Sequence, residues 1–267
     1  MDWLQAIFLA LIQGLTEFLP VSSSAHLILP SQLFGWEDQG LAFDVAVHLG
    51  TLIAVITYFR KDIGAVLSGL LLAARSRTLN QEATLGLAVV VATIPAVMVG
   101  FAFKSFIEEN LRSGLVIAIT TIVFGLLLWV ADTRGARSQA LEKMSLSNAW
   151  IIGCAQALAL IPGTSRSGIT ITAALMLGFD RTASARFSML LSIPLIVAAG
   201  LLAGLDLARG AEPIAYDLMA IGIVVATLSA YLCIHYFMKL LEQIGMLPFV
   251  IYRMGLGIFL LFFIGLQ

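Results

Sequence analysis

The chain has 267 residues, 60% of them hydrophobic and only 12% Asp, Glu, Lys or Arg, with a mean hydropathy of +1.00 and a net charge of −1. Soluble domains carry about a quarter charged residues, so a soluble fold is excluded, and a near-neutral balance without a basic tail offers no footprint for nucleic acid. Runs of roughly 20 apolar residues, enough to cross a hydrocarbon core about 30 Å thick, recur along the chain, so the composition points to an all-α polytopic membrane protein.

The opening "MDWLQAIFLALIQ" has no Lys or Arg before its apolar run and no small-residue cleavage site, so it is read as part of the mature fold. It begins a hydrophobic segment, Trp3 to Phe34, that is broken in the middle by "LPVSSSAH". Three uninterrupted spans follow, Leu41 to Phe59, Leu85 to Phe103 and Leu115 to Val130, each predicted to be a transmembrane helix. A second broken segment, Ala149 to Phe179, carries "IPGTSRSG" at its centre, and three more spans complete the chain: Phe187 to Leu205, Leu218 to Phe237 and Phe249 to Leu266.

Proline removes a backbone donor and pushes the preceding residue out of the helical region, so neither broken segment should be one straight helix. Each half of a broken segment is about 14 to 18 residues, too short to span. A re-entrant hairpin is predicted in each case, with irregular backbone kept at depth only where protein or water surrounds it.

The two halves resemble each other. "VVATIPAVMVGFAFKSFIEE" from Val90 aligns without gaps on "VVATLSAYLCIHYFMKLLEQ" from Val224, and "FDVAVHLGTLIAV" from Phe43 parallels "FSMLLSIPLIVAA" from Phe187. The expected organisation is a single membrane domain built as a tandem repeat, residues 1–140 and 141–267, each a hairpin plus three transmembrane helices. A hairpin returns to its side and three spans then cross, so the second copy must be inverted, the arrangement in which a site forms at the repeat interface.

Loop charge sets the orientation. The side opposite the start of the chain would carry Arg60, Lys61, Arg75, Arg77, Arg134, Arg137, Lys143, Arg181, Arg186, Lys239 and Arg253, against Lys104, Arg112 and Arg209 on the first side. The positive-inside rule places the Arg-rich side in the cytoplasm, with the first hairpin entered from outside.

The breaks hold the chemistry. Gln13 and Glu17 are four apart and share a helical face, with Ser22, Ser23, Ser24 and His26 following the turn. In the second break Ser165, Arg166 and Ser167 occupy the corresponding place, and in both hairpins a serine is available to cap the returning helix. Two helix N-termini aimed at one volume make an anion site suited to phosphate, and the Arg166 guanidinium matches phosphate oxygens. Glu17 would repel an anion unless it binds a divalent cation or moves a proton, so Glu, Ser and His beside Arg suggest phosphate hydrolysis: a serine or a water attacks, and His26 handles a proton. Ser23 is the favoured nucleophile, with Ser22 or metal-activated water as rivals. Serines in membrane helices also serve packing. His48, four residues after Asp44, is a further candidate for the site, whereas His235, Cys154 and Cys233 have no chemical company in the sequence and are read as structural.

"QGLTEFLPVSSSAH" and "PGTSRSG" resemble the two signature segments of the undecaprenyl-diphosphatase family, the bacitracin resistance proteins, and "FDVAVHLGTLIAV", "GFDRTASARFSMLLSIP" and the last span extend the resemblance over nearly the whole chain. The resemblance implies removal of the terminal phosphate from undecaprenyl pyrophosphate in the bacterial inner membrane, a site open to the periplasm, and a divalent cation such as Mg2+ or Ca2+. It makes Glu17 the second acidic residue of the first signature and a metal candidate, His26 its histidine, Ser22 and Ser23 its serine pair, and Ser165 and Arg166 the Ser-Arg of the second. Arg166, Ser165, Ser167, Ser24 and Thr164 are expected on substrate phosphate, with Gln13, Gly163, Gly168 and His48 in support. Many members have Glu where this chain has Gln13, which carries no charge, so any mechanism needing two carboxylates there is in doubt and Glu17 is expected to carry most of the work. The partners implied are a polyprenyl diphosphate lipid and the bilayer, with a homodimer as a candidate assembly. The competing reading is a transporter or flippase of polyprenyl phosphates, which suits inverted repeats but leaves Glu, Ser and His unexplained.

Overall fold

The computed structural model describes residues 1–111, 113–209 and 215–265. Eleven α-helices run through them: α1 (Trp3–Thr16), α2 (Ser23–Phe34), α3 (Gly40–Tyr58), α4 (Arg60–Ser76), α5 (Gln81–Asn110), α6 (Gly114–Arg134), α7 (Leu146–Ala157), α8 (Arg166–Met176), α9 (Arg181–Arg209), α10 (Tyr216–Ile244) and α11 (Leu247–Gly265). Six stretches are long and apolar enough to cross a membrane: Gly40–Tyr58, Gln81–Phe103, Gly114–Arg134, Arg181–Leu205, Tyr216–Ile244 and Leu247–Ile264. They coincide with the six predicted spans, and apolar side chains such as Leu4, Phe101 and Phe262 point outward, as an all-α polytopic membrane protein in lipid requires.

The two broken segments are helix pairs. α1, α2, α7 and α8 have 14, 12, 12 and 11 residues, so each is about 17 to 21 Å long at 1.5 Å per residue and none can cross alone. Polar caps set where the first of each pair starts. Asp2 and Gln5 form a reciprocal capping box on α1, and Ser145 accepts from the Asn148 N–H at the start of α7.

Each of these first short helices packs on a long helix of the other half of the chain, α1 on α10 and α7 on α5. The contact is close because a glycine faces backbone. A Cβ on Gly14 would lie 2.9 Å from Ala226 O and Ala230 N, and one on Gly153 would lie 2.5 Å from Ala92 O. Ala92 and Ala226 occupy the same place in the two VVAT segments. α3 also packs on α10, and α6 on α11, so the halves interlock along their length.

Two parts of the structure depart from the sequence reading. Arg60 to Arg77 was expected to be loop, but α4 forms there, an amphipathic helix whose Gly69 sits against Asn80 and Ala83 at the start of α5. It is too short and too charged to register as a span. Arg253 was assigned to the Arg-rich loops, but its side chain is fully buried inside the helix packing. Among the other cations of that set, Arg181 pairs bidentately with Asp132 on α6 at 2.6 and 2.9 Å, and Arg186 pairs with Asp62 on α4. On the opposite side, Arg112 and the side chains of Lys104 and Arg209 lie outside the described residues.

Candidate active site

Both hairpin tips turn through a serine in an unusual conformation. Ser22 has φ +73° and Ser165 has φ +71°, immediately before α2 and α8 respectively. Non-glycine residues adopt positive φ at a cost and persist there only where surroundings hold them. Ser165 is tied locally, since its Oγ accepts the Gly168 N–H at 3.1 Å and caps α8. Ser22 makes no such bond; its Oγ lies 3.3 Å from Ser24 Oγ, much as Ser165 Oγ lies 3.2 Å from Ser167 Oγ.

α6 supports the second tip. The hydroxyls of Thr120 and Thr121 donate to the Pro162 and Gly163 carbonyls at 2.6 and 3.4 Å. Gly163 is required there, because its φ is +87° and a Cβ would fall 2.5 Å from Ile117 O. The two tips meet directly where Ser167 Oγ donates to Leu19 O at 2.8 Å.

Glu17 is the junction. Its Oε2 accepts from Ser23 Oγ at 2.7 Å and from Gln13 Nε2 at 3.0 Å, while Oε1 accepts from Arg166 Nη2 at 3.0 Å. One carboxylate of the first tip thus holds a serine of its own hairpin and the arginine of the other. Arg166 is steadied by donating Nη1 to Ser188 O at 3.1 Å and by lying over the Phe18 ring, 6.0 Å from its centroid. The Gln13 amide does what a second carboxylate would not: it donates to Glu17 and leaves its own Oε1 without a partner among the described residues.

These groups open on a cavity of about 320 Å³. Its polar lining includes Glu17, Ser22, Ser23, Ser24, Ser165, Arg166, Asp44 and His48, and its apolar lining includes Leu195, Ile196, Ala199 and Ala203 on α9. Polar groups and apolar walls in one space are what an amphiphile needs.

The remaining predicted residues divide. Gln13, Thr164, Ser167, Gly163 and Gly168 stand behind the cavity wall rather than on it. Thr164 is fully buried with its hydroxyl unpartnered among the described residues. His26 is also absent from the lining. Its Nδ1 meets Ser22 O at 2.7 Å, and since a carbonyl only accepts, Nδ1 carries the proton and Nε2 accepts from the Tyr252 hydroxyl. The rings are stacked, 5.5 Å apart and 13° from parallel. Both nitrogens of His26 are therefore engaged, and the histidine that faces the cavity is His48. Its Nδ1 is fixed by Asp44 O at 2.7 Å and its Nε2 stands 3.9 Å from Glu17 Oε2.

The donor set does not fit a protein cage for a divalent cation. Hard cations want six or more oxygen ligands, yet no group of three or more His, Cys, Asp or Glu converges among the described residues. Both oxygens of Glu17 already accept hydrogen bonds, one of them from a guanidinium.

Two residues that matter here escaped the sequence reading. Tyr252 and Arg253 lie in the last span, "PFVIYRMGLGIF", with nothing nearby to mark them. An arginine in the interior of an apolar run was the available signal.

The chain is thus an all-α polytopic membrane protein whose two broken segments meet around a partly buried Ser–Glu–Arg constellation. The family model described as Bacitracin resistance protein BacA matches residues 6–259, and the chain belongs to that family. It is similar to a protein named undecaprenyl-diphosphatase from Alcanivorax borkumensis, 60% identical over 264 residues, covering 99% of this chain and 100% of that one. A second of the same name from Chromohalobacter salexigens is 60% identical over 261 residues, 98% of each chain, and a third from Teredinibacter turnerae is 57% identical over 260 residues, 97% of this chain and 98% of that one.

Proposed function

We propose that this chain hydrolyses undecaprenyl pyrophosphate to undecaprenyl phosphate and inorganic phosphate, regenerating the lipid carrier of peptidoglycan assembly. The observation that carries the reading is the Glu17 carboxylate bridging Ser23 and Arg166 from opposite hairpins in a cavity that α9 also lines with apolar side chains. The diphosphate lies between the tips, with Arg166 and the free N–H groups starting α2 and α8 on its oxygens and the prenyl chain along α9.

Ser23 Oγ attacks the terminal phosphorus as its proton passes to Glu17. The bond from that phosphorus to the bridging oxygen breaks, and undecaprenyl phosphate leaves with the electron pair. Glu17 passes that proton to the departing lipid phosphate and then takes one from a water whose oxygen attacks the phosphoserine; the P–Oγ bond breaks, Ser23 Oγ recovers a proton from Glu17, and inorganic phosphate leaves. Water activated directly by Glu17 is the alternative nucleophile. A divalent cation, Mg2+ or Ca2+, belongs with the substrate in this reading, because diphosphate oxygens supply the hard ligands that the protein lacks.

The site opens to the periplasm from an inverted repeat with re-entrant hairpins. The short length of α1, α2, α7 and α8 and the matching Gly14–Ala226 and Gly153–Ala92 contacts support it. The Arg-rich side remains the more basic with Arg253 withdrawn from it, which supports an inner-membrane orientation with that side in the cytoplasm. A homodimer through the lipid-facing surface is part of the same reading and is tested by cross-linking in membranes.

The experiment is phosphate release by purified Glu17→Ala and Arg166→Ala variants. Near wild-type rates at saturating lipid would overturn the assignment. Transfer of polyprenyl phosphate across vesicles without hydrolysis would replace it with a carrier.

A further inference from the structure

Arg253 is a fully buried cation with no carboxylate: among the described residues it forms no ion pair. Its partners are backbone carbonyls from three places. Nη1 donates to Pro20 O at 3.3 Å and Thr164 O at 3.0 Å, Nη2 to Gly163 O at 3.0 Å and Thr120 O at 3.4 Å, and Nε to Thr121 O at 3.1 Å. Pro20 is in the first tip, Gly163 and Thr164 in the second, and the threonines in α6.

Three of these acceptors, Pro20 O, Gly163 O and Thr164 O, lie where the chain is outside a helix, whereas Thr120 O and Thr121 O belong to the interior of α6. Carbonyls freed by a break have no helical donor, and in a membrane interior no water replaces it. A guanidinium offers five N–H groups in one plane, and here one side chain answers acceptors from both breaks at once. The positions are pointed: Pro20 lies two residues before Ser22 and Thr164 one before Ser165, the two serines held at positive φ. The guanidinium also closes on the first turn of α8, where a Cβ on Gly168 would sit 3.0 Å from Nη1. Arg253 is absent from the cavity lining, and its hydrogen bonds go to the tips and α6.

We infer that Arg253 is a positioning residue that ties the two hairpin tips to each other and to α6, and thereby sets Ser23 and Glu17 of one tip against Arg166 of the other. The charge is retained at depth because no neutral side chain has the five coplanar N–H groups that reach carbonyls of both tips and of α6 at once. Lysine has the charge but three tetrahedral donors, so it can serve one tip and not both.

The test uses full-length protein in detergent or nanodiscs, measuring phosphate release, thermal unfolding and hydrogen–deuterium exchange. For Arg253→Lys the expected result is a fall in kcat of at least about tenfold, as small misplacements of reacting groups produce. KM should move less, and exchange should rise together in the peptides covering 17–24 and 161–168. Guanidinium ion at non-denaturing concentration should partly restore Arg253→Ala, with urea as the inactive control. Gly168→Ala probes the same contact from the other side. It should raise exchange at the first tip around Pro20, whose carbonyl accepts from the Arg253 Nη1 that the new methyl would crowd. The inference is overturned if Arg253→Lys keeps kcat within a factor of about two, a difference under 0.5 kcal/mol, or if Gly168→Ala disturbs the second tip alone. Exchange rising throughout α6 and α11 without preference for the tips would assign Arg253 to general packing and also overturn it.

Discussion

Ser23 and Glu17, six residues apart, are joined by a 2.7 Å hydrogen bond in which the serine hydroxyl donates to a carboxylate whose other oxygen holds Arg166. The turn between α1 and α2 makes this contact, because a continuous helix would place residues six apart on different faces. The break in the helix is therefore what brings the Ser23 hydroxyl onto the Glu17 carboxylate.

Ser23→Ala should lower kcat by about a thousandfold or more, as loss of an activated nucleophile does. Glu17→Gln keeps the shape and removes the charge, and should lose about a hundredfold to ten-thousandfold, the range for general-base loss. Ser22→Ala should cost far less, since its hydroxyl faces Ser24 rather than Glu17. Phosphate-release kinetics rank the three; Ser22→Ala as the most damaging would exchange the serine roles.

Arg166→Lys should be nearly as damaging as Arg166→Ala. The guanidinium reaches Glu17 Oε1 with one nitrogen and Ser188 O with the other, a fork that an ammonium cannot reproduce. The expected signature is a raised KM with a lowered kcat, because the proposed mechanism has Arg166 both bind phosphate and align Glu17. A change in KM alone would confine Arg166 to binding.

The helices of this protein were legible because lipid imposes long apolar runs, and the breaks were legible because Pro and Gly interrupt them. Glu17, Ser23 and Arg166 stood out as polar residues at those breaks, and they meet. What sequence could not show was direction. His26 and His48 each place Nδ1 on a backbone carbonyl four residues earlier, yet one ring turns to Tyr252 and the other to the cavity. That difference is fixed by packing across the chain. Arg253 was misread for a related reason: a cation near the end of a span looks like a loop charge until the tips it binds are folded against it.

Tyr252→Phe tests the His26 arrangement. It removes the hydroxyl on Nε2 but keeps the stacked ring, and one hydrogen bond of about 0.5–1.5 kcal/mol corresponds to roughly a twofold to twelvefold loss in kcat if His26 must be held still. His48→Gln, which retains a polar group facing Glu17, shows whether the cavity-facing histidine matters more. A larger loss in His48→Gln than in His26→Gln would move the proton-handling role to His48.

Gly14→Ala and Gly153→Ala should destabilise the protein to a similar degree. In each case the new methyl meets backbone of the opposing half, at 2.9 Å for Gly14 and 2.5 Å for Gly153, and backbone cannot rotate away. Overpacking costs about 1–3 kcal/mol, and each such kcal/mol lowers the midpoint of a chain this size by about 2–4 °C. Thermal unfolding of the two variants measures this directly. A fall in one and none in the other would mean that the two contacts are not equivalent supports for the hairpins.

Mg2+ or Ca2+ should bind the lipid-free protein weakly and the protein–diphosphate complex well. Glu17 is already paired with Arg166, no group of three or more His, Cys, Asp or Glu converges among the described residues, and Gln13, four residues before Glu17, offers an amide that donates to it. A cation therefore gains most of its oxygen ligands only when the diphosphate arrives. Calorimetric titration of Ca2+ into lipid-free protein should show no tight site, whereas chelation should slow turnover in proportion to the metal–diphosphate removed. Gln13→Glu should create a second carboxylate beside the first and raise Ca2+ affinity in the absence of lipid. A tight site in the unaltered chain, lost in Glu17→Gln, would place the cation on the protein instead.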